Sequence, residues 1–211
     1  MTPCPVCLSS DTSPYMEAEG VPYFSCLHCL AIFTDPNDLP TQEEEQARYL
    51  LHQNNPDDPG YRRFLEKLAL PVAARLTVPS KGLDYGCGPT PLLARIMEEH
   101  GHTMAVYDPY FARNPAVLSD TYDFITCSEA AEHFYKPAEE FARLAGMLRP
   151  GGILGVMTSL WDESIDFATW YYRKDPTHVV FYHRQSFMTL AEQLHLNCSF
   201  PAKNIILLQK S

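Results

Sequence analysis

The sequence is short of basic residues: 16 lysines and arginines stand against 26 aspartates and glutamates in 211 residues, a formal net charge of −10. An acidic surface repels phosphate backbones and anionic lipid, so non-specific attachment to either is disfavoured, although a local basic patch stays compatible with that balance. No apolar run approaches the ~20 residues that cross a bilayer, and the opening "MTPCPVCLSS" lacks the basic and then apolar pattern of a secretory signal. The expectation is a cytoplasmic protein with no membrane partner. Internal repeats and low-complexity tracts are also missing. What remains is an ordinary globular composition, 45% apolar, long enough for one buried α/β core and a small appendage.

Cysteine is the first positive signal. The seven cysteines are an odd number in a chain without a secretory pattern, which favours metal ligation over disulfides. Cys4 and Cys7 form one CxxC and Cys26 and Cys29 a second, with 18 residues between, a spacing expected of a tetrahedral zinc site. Each pair lets a tight knuckle aim two thiolates at one ion, whose binding free energy then replaces the core that so short a segment does not build. Residues 1–36 therefore read as a module that resembles a zinc ribbon, against the plainer alternative of four unrelated buried thiols. His28, in the middle of "CLHC", faces solvent on this reading.

"FTDPNDLP" marks a boundary, and residues 37–80 read as a helical linker. Thr41 caps a first helix with acids in its first turn, and a second helix runs through "YRRFLEKLALPVAARL", where Pro71 is expected to kink or split it. Both helices are expected over a ligand mouth, with Tyr49, His52, Asn54 and Tyr61 as polar candidates beside ordinary capping residues.

From Lys81 to Ser211 strand-like and helix-like segments alternate, the pattern of a parallel sheet whose ligand lies beyond the carboxyl ends of the strands. The stretch "DYGCGPTP" sits at the first such end. A dinucleotide fingerprint needs a third glycine, and here that position is proline, so nicotinamide and flavin lose their main support. A ligand with a ribose and a compact charged tail fits better. Gly86 and Gly88 permit close backbone approach, with Cys87 between them. Asp84 orients the loop or meets an ammonium. Asp108, twenty residues past Gly88 and followed by Pro109, is placed to accept a ribose diol, or else to cap a turn.

In order, "LDYGCGPT", "VYDPY", "YDFITCSEAAEHFYKP" and "LRPGGILGVMT" resemble the motifs of the class I S-adenosylmethionine-dependent methyltransferases, over roughly Lys81 to Ser211. The resemblance implies a Rossmann-like α/β domain at 81–211, with a mostly parallel seven-stranded sheet whose last strand, "NIILLQKS", is antiparallel. It implies S-adenosylmethionine bound by Asp84, Gly86, Cys87, Gly88, Asp108, Pro109, Cys127, Ser128 and Glu129. Only "PYFARNPAVLSDT" separates Asp108 from Tyr122, so the third strand, near Ala116 to Leu118, is expected to be reduced or missing. The acid that often contacts adenine has no counterpart, leaving Tyr110 or Phe111 to pack on the ring.

Methyl transfer from a sulfonium needs in-line alignment and exclusion of water, with a base only where the acceptor carries a proton. His133, His178 and Tyr182 are the catalytic candidates, flanked by Glu132 and Asp175, and a hydrogen bond from His133 to a loop carbonyl is the plain alternative. "WDESIDFATWYYRKDPTHVVFYHRQSF", crowded with aromatics, reads as an insertion over a small-molecule acceptor or as a cover for the sheet. Two other readings stand beside the small-molecule enzyme. One is an RNA methyltransferase with a zinc ribbon, which needs a basic stripe. The other is a donor-binding module that recruits a partner without catalysis.

Overall fold

The computed structural model describes residues 2–51 and 55–211, so two of the polar candidates, His52 and Asn54, lie outside the described residues. An antiparallel hairpin opens the chain, with β1 at Thr12–Ala18, β2 at Val21–Cys26 and β3 at Ile32–Thr34. Helix α1 (Gln42–Tyr49) starts at Thr41 in a capping box with Glu44, as the Thr-x-x-Glu spacing predicts. Helix α2 (Pro59–Ala73) is a single helix. Pro71 lies in its last turn, where it withholds one i→i−4 donor, and does not split the helix.

The larger sheet follows from the alternation. β4 (Lys81–Tyr85), α3 (Leu92–Glu99), β5 (Thr103–Tyr107), β6 (Tyr122–Ser128), α4 (Pro137–Met147) and β7 (Leu148–Met157) form its parallel part. β8 (Val180–Phe181), α5 (Arg184–Gln193), β9 (Leu196–Ala202) and β10 (Ile205–Lys210) complete the chain. The spatial order is β5-β4-β6-β7-β10-β9, with β10 antiparallel to both neighbours. Six strands are present among the described residues where the resemblance implies seven. The span expected to hold a reduced third strand is a 3-10 turn at Pro115–Ser119, too short and too proline-bound to pair along the β5 edge. Strand β7 starts earlier than its apolar run "ILGVM", because Leu148 pairs with Tyr122 before the strand shifts register.

The N-terminal hairpin is not a detached appendage. β8, from the aromatic insertion, pairs antiparallel with β3 and extends the small sheet to the order β1-β2-β3-β8. One continuous core contains Cys4, Cys7, Cys26 and Cys29 together with Ile125, Leu144, Tyr182 and Phe187. Polar ties reinforce it: Ser186 Oγ donates to the Cys29 carbonyl at 2.8 Å and Gln193 Nε2 to that of Cys7 at 2.9 Å. A separate cluster packs Phe167, Tyr172 and Phe181 of the insertion on Tyr23 and Ile32 of the hairpin. Much of the insertion therefore covers the small sheet.

Candidate active site

β4 lies between β5 and β6, and the connections leave it to opposite sides, which opens a crevice at the carboxyl ends of these strands. A cleft of about 960 Å³ occupies that crevice. The glycine loop after β4 forms one wall. Gly86 has φ +76° and a Cβ there would meet the Ala130 Cβ at 2.5 Å, whereas a Cβ on Gly88 (φ +64°) would meet nothing within 4 Å. The first glycine thus permits close packing against the end of β6, and the second leaves the backbone open to the cleft.

Two acids hold this loop. Asp84, almost fully buried, accepts a hydrogen bond from Thr126 Oγ1 at 2.9 Å, and burial raises its pKa to about 7 despite that bond. The Asp108 carboxylate is tied to backbone: Oδ2 accepts from Gly88 N at 2.9 Å, and Oδ1 from Tyr110 N at 2.8 Å and Phe111 N at 3.0 Å. The turn-acid alternative for Asp108 is thus realised, and Oδ2 retains acceptor capacity for a second donor. Cys87, Pro109, Tyr110, Phe111, Ser128 and Glu129 also line the cleft. Ser128 Oγ is buried with no hydrogen-bond partner among the described residues. Glu129 sits at φ +47° with its pKa raised to about 9, first by burial and then by Glu132. Cys127 does not line the cleft: β-strand alternation turns its fully buried thiol into the core, opposite to Ser128.

Another part of the lining is built where the turn after β6 meets the insertion. Val179 N donates to the Glu132 carbonyl at 2.9 Å, and this brings His133 and His178 together with ring centroids 4.8 Å apart. His133 Nδ1 lies 2.8 Å from the Thr177 carbonyl, and His178 Nδ1 2.7 Å from that of Tyr172. Fully buried Glu132 accepts from Tyr172 Oη at 2.5 Å and from Thr158 Oγ1 at 3.0 Å. Burial lowers the pKa of His178.

Tyr182, expected beside the transferring methyl, lies elsewhere. Its side chain is fully buried against Phe141 and Phe187, and its hydroxyl donates to the Ala131 carbonyl at 2.8 Å. Alternation along β8 puts Phe181 against the hairpin and Tyr182 in the main core, while Tyr171, Tyr172, Asp175 and His178 line the cleft.

Sequence reasoning expected α1 over the mouth and named Tyr49, but missed Gln42 and Glu45 on the same face. Gln42, Glu45 and Tyr49 recur at helical spacing and all line the cleft. Buried Glu45 accepts from Tyr110 Oη at 2.7 Å and Tyr49 Oη at 3.1 Å, and burial raises both phenol pKa values above the usual range. Its place as the last of three consecutive glutamates disguised Glu45 as part of a solvated face. Arg48 reaches across to the insertion, with Nε 2.9 Å from Asp175 Oδ2, so α1 and the insertion close over the cleft from two sides. Burial pulls the Asp175 pKa up, but the Arg48 and Thr177 bonds outweigh it and hold it well below the usual carboxylate range.

The four N-terminal cysteines converge as their spacing predicts. Their sulfur atoms all lie within 4.8 Å of one another, with Cys4 to Cys29 at 3.6 Å and Cys7 to Cys26 at 3.5 Å. Disulfide bonds are excluded at such distances, since S–S is about 2.05 Å. Both knuckles end alike. Leu8 and Leu30 take φ +63° and +59°, and each donates its N–H to the carbonyl of the first cysteine of its pair.

The model of a methyltransferase domain matches residues 57–198. No curated protein matches the chain. An O-methyltransferase family protein from Burkholderia thailandensis is 16% identical, with a TM-score of 0.54 over 79% of this chain and 63% of that one. The 1,6-didemethyltoxoflavin-N1-methyltransferase of the same organism, solved with its didemethyltoxoflavin and S-adenosylhomocysteine, is 13% identical, with a TM-score of 0.57 over 94% and 99%. Human N-acetylserotonin methyltransferase, solved with S-adenosylmethionine, is 18% identical, with a TM-score of 0.57 over 82% and 60%. The chain spans less than two thirds of the length of the first and third of these. At such identities the likeness is one of fold.

Proposed function

The chain belongs to the methyltransferase-domain family, and on that premise we propose that it transfers the methyl group of S-adenosylmethionine to a small-molecule acceptor. One observation carries this reading: a cleft of about 960 Å³ is lined both by the glycine loop and by a polar histidine–glutamate cluster. That volume is of the order that a nucleoside-sized donor and a small acceptor need together. Two features fit the donor: the open space beside Gly88 and the unpartnered buried Ser128 hydroxyl. Asp108 receives a ribose hydroxyl on Oδ2 while it keeps the loop in place. Asp84 and Glu129 face the donor's charged tail, and Tyr110 or Phe111 packs against adenine.

S-adenosylmethionine supplies the methyl group and its own leaving group. The chain aligns the acceptor with it, and α1 and the insertion exclude water. His133 and His178 face the acceptor. The acidic balance and the closure of the cleft by Arg48 and Asp175 favour a small acceptor over RNA.

Cys4, Cys7, Cys26 and Cys29 hold zinc on this reading. A tetrahedral zinc thiolate with bonds of about 2.3 Å has sulfur edges of about 3.8 Å, close to the separations of the two pairs. Turnover assays with S-adenosylmethionine and a panel of hydroxyl- and amine-bearing small molecules test the function. Formation of S-adenosylhomocysteine only with an added small acceptor supports it, and formation only with added RNA overturns it.

A further inference from the structure

Glu132, His133 and His178 present one ligand atom each within 4.8 Å of one another, and all three line the cleft. Their surroundings resemble those of ligands more than those of a free base. A carbonyl oxygen only accepts, so the contacts from Thr177 and Tyr172 put the proton of each ring on Nδ1. In the neutral ring the lone pair is then on Nε2. Metal-binding histidines are held in this way, with the second nitrogen donating to a carbonyl that fixes tautomer and ring orientation. Glu132 is fixed in turn by the hydroxyls of Tyr172 and Thr158, one on each carboxylate oxygen, and each oxygen retains capacity for a further partner. Those donors are neutral. A carboxylate with no exposure to water and no cationic donor is costly to bury, and a bound cation removes that cost.

We propose that Glu132, His133 and His178 bind a divalent first-row metal ion at the acceptor end of the cleft, and that this ion receives a hydroxyl group of the acceptor. Two imidazoles and one carboxylate favour first-row ions that accept nitrogen ligands, zinc and cobalt most strongly and manganese more weakly, over calcium or magnesium. Three protein ligands leave open positions, and Tyr171, Tyr172 and Asp175 line the cleft beside them. The ion lowers the pKa of the hydroxyl bound to it. The hydroxyl proton passes to solvent, the oxygen attacks the methyl carbon as the carbon–sulfur bond breaks, and the sulfonium leaves as a neutral thioether. The metal role for the histidines rests on the methyltransferase reading only for this last step, because the ion-binding site stands on its own geometry.

The test uses the full chain with zinc in its four-cysteine site. Manganese(II) is titrated in, unbound ion is followed by electron paramagnetic resonance, and S-adenosylhomocysteine binding is measured in parallel by calorimetry. The expected result is about one manganese site per chain, weakened about tenfold or more in His178→Ala and in His133→Gln, with zinc content unchanged. His178 is only partly buried, so its replacement keeps the proposal testable should changes at buried Glu132 prevent folding. No manganese or cobalt bound, or equal binding by His178→Ala and parent, overturns the proposal. Binding of S-adenosylhomocysteine without any second metal sinks the metal site and leaves the methyltransferase reading intact. Metal binding without S-adenosylhomocysteine binding does the converse.

Discussion

Asp108 accepts the backbone N–H of Gly88 at 2.9 Å across twenty residues of chain, so the tip of β5 and the glycine loop after β4 are one unit. Its other oxygen holds the N–H groups of Tyr110 and Phe111, which makes one carboxylate the anchor of two walls of the cleft. Asp108→Ala leaves three backbone donors without their acceptor. The expected outcome is a loss of about 1 to 3 kcal/mol in stability and at least about a tenfold loss in donor affinity, read by denaturant titration and calorimetry. An unchanged affinity removes Asp108 from the donor site.

Asp84 makes stability depend on pH. Its folded pKa of about 7 lies above the ordinary carboxylate value, so the folded state keeps the proton longer than the unfolded state. The contribution is fully present below the unfolded pKa and is lost as pH rises through 7. Between pH 5 and 8 the loss attributable to this group is about 2 to 3 kcal/mol. Asp84→Asn keeps an acceptor for Thr126 without the charge. Urea titrations are therefore expected to show the variant gaining on the parent as pH rises, and a constant difference across that range contradicts it.

The Arg48–Asp175 pair joins α1 to the insertion, with the guanidinium partly exposed. Asp175 is itself largely buried, so Arg48→Ala, which takes the guanidinium bonds from its carboxylate, is expected to lower stability by about 1 to 3 kcal/mol, read as a fall in melting temperature. A second effect is expected in steady-state kinetics, as a KM for the acceptor raised about threefold or more by looser closure. An altered donor affinity with an unaltered acceptor KM speaks against a lid.

Zinc removal should reach beyond the hairpin. The cysteines share their core with Phe187 and Leu144, and β3 pairs with β8. Chelation is expected to strip hydrogen-exchange protection from Val180–Phe181 and α5 as well as from the hairpin. Loss of protection confined to residues 4–34 shows that the hairpin folds separately.

Much of this was legible in the sequence. The cysteine spacing, the β/α alternation and the glycine loop follow from motifs that local chemistry dictates, and the meeting of His133 with His178 from segments that the architecture brings together after successive strands. Less legible was whatever depends on which way a chain turns. Tyr182 reads as a cleft residue because "DPTHVVFY" resembles the segment that small-molecule methyltransferases place over the acceptor, yet next to the short pairing of β8 with β3 it lies in the core. Cys127 reads as a donor contact from its motif, and strand alternation faces it away. Glu45 is indistinguishable in sequence from Glu43 and Glu44 beside it, and only the packing of α1 selects it for the cleft.

Calorimetric titration of S-adenosylhomocysteine into the full chain tests the donor cleft most directly. About one equivalent is expected to bind per chain, with the affinity abolished by Gly88→Val, whose side chain enters the open space beside the loop at a backbone conformation that β-branched residues avoid. Absence of binding at millimolar ligand, or binding undiminished in Gly88→Val, contradicts the assignment of this cleft to the methyl donor.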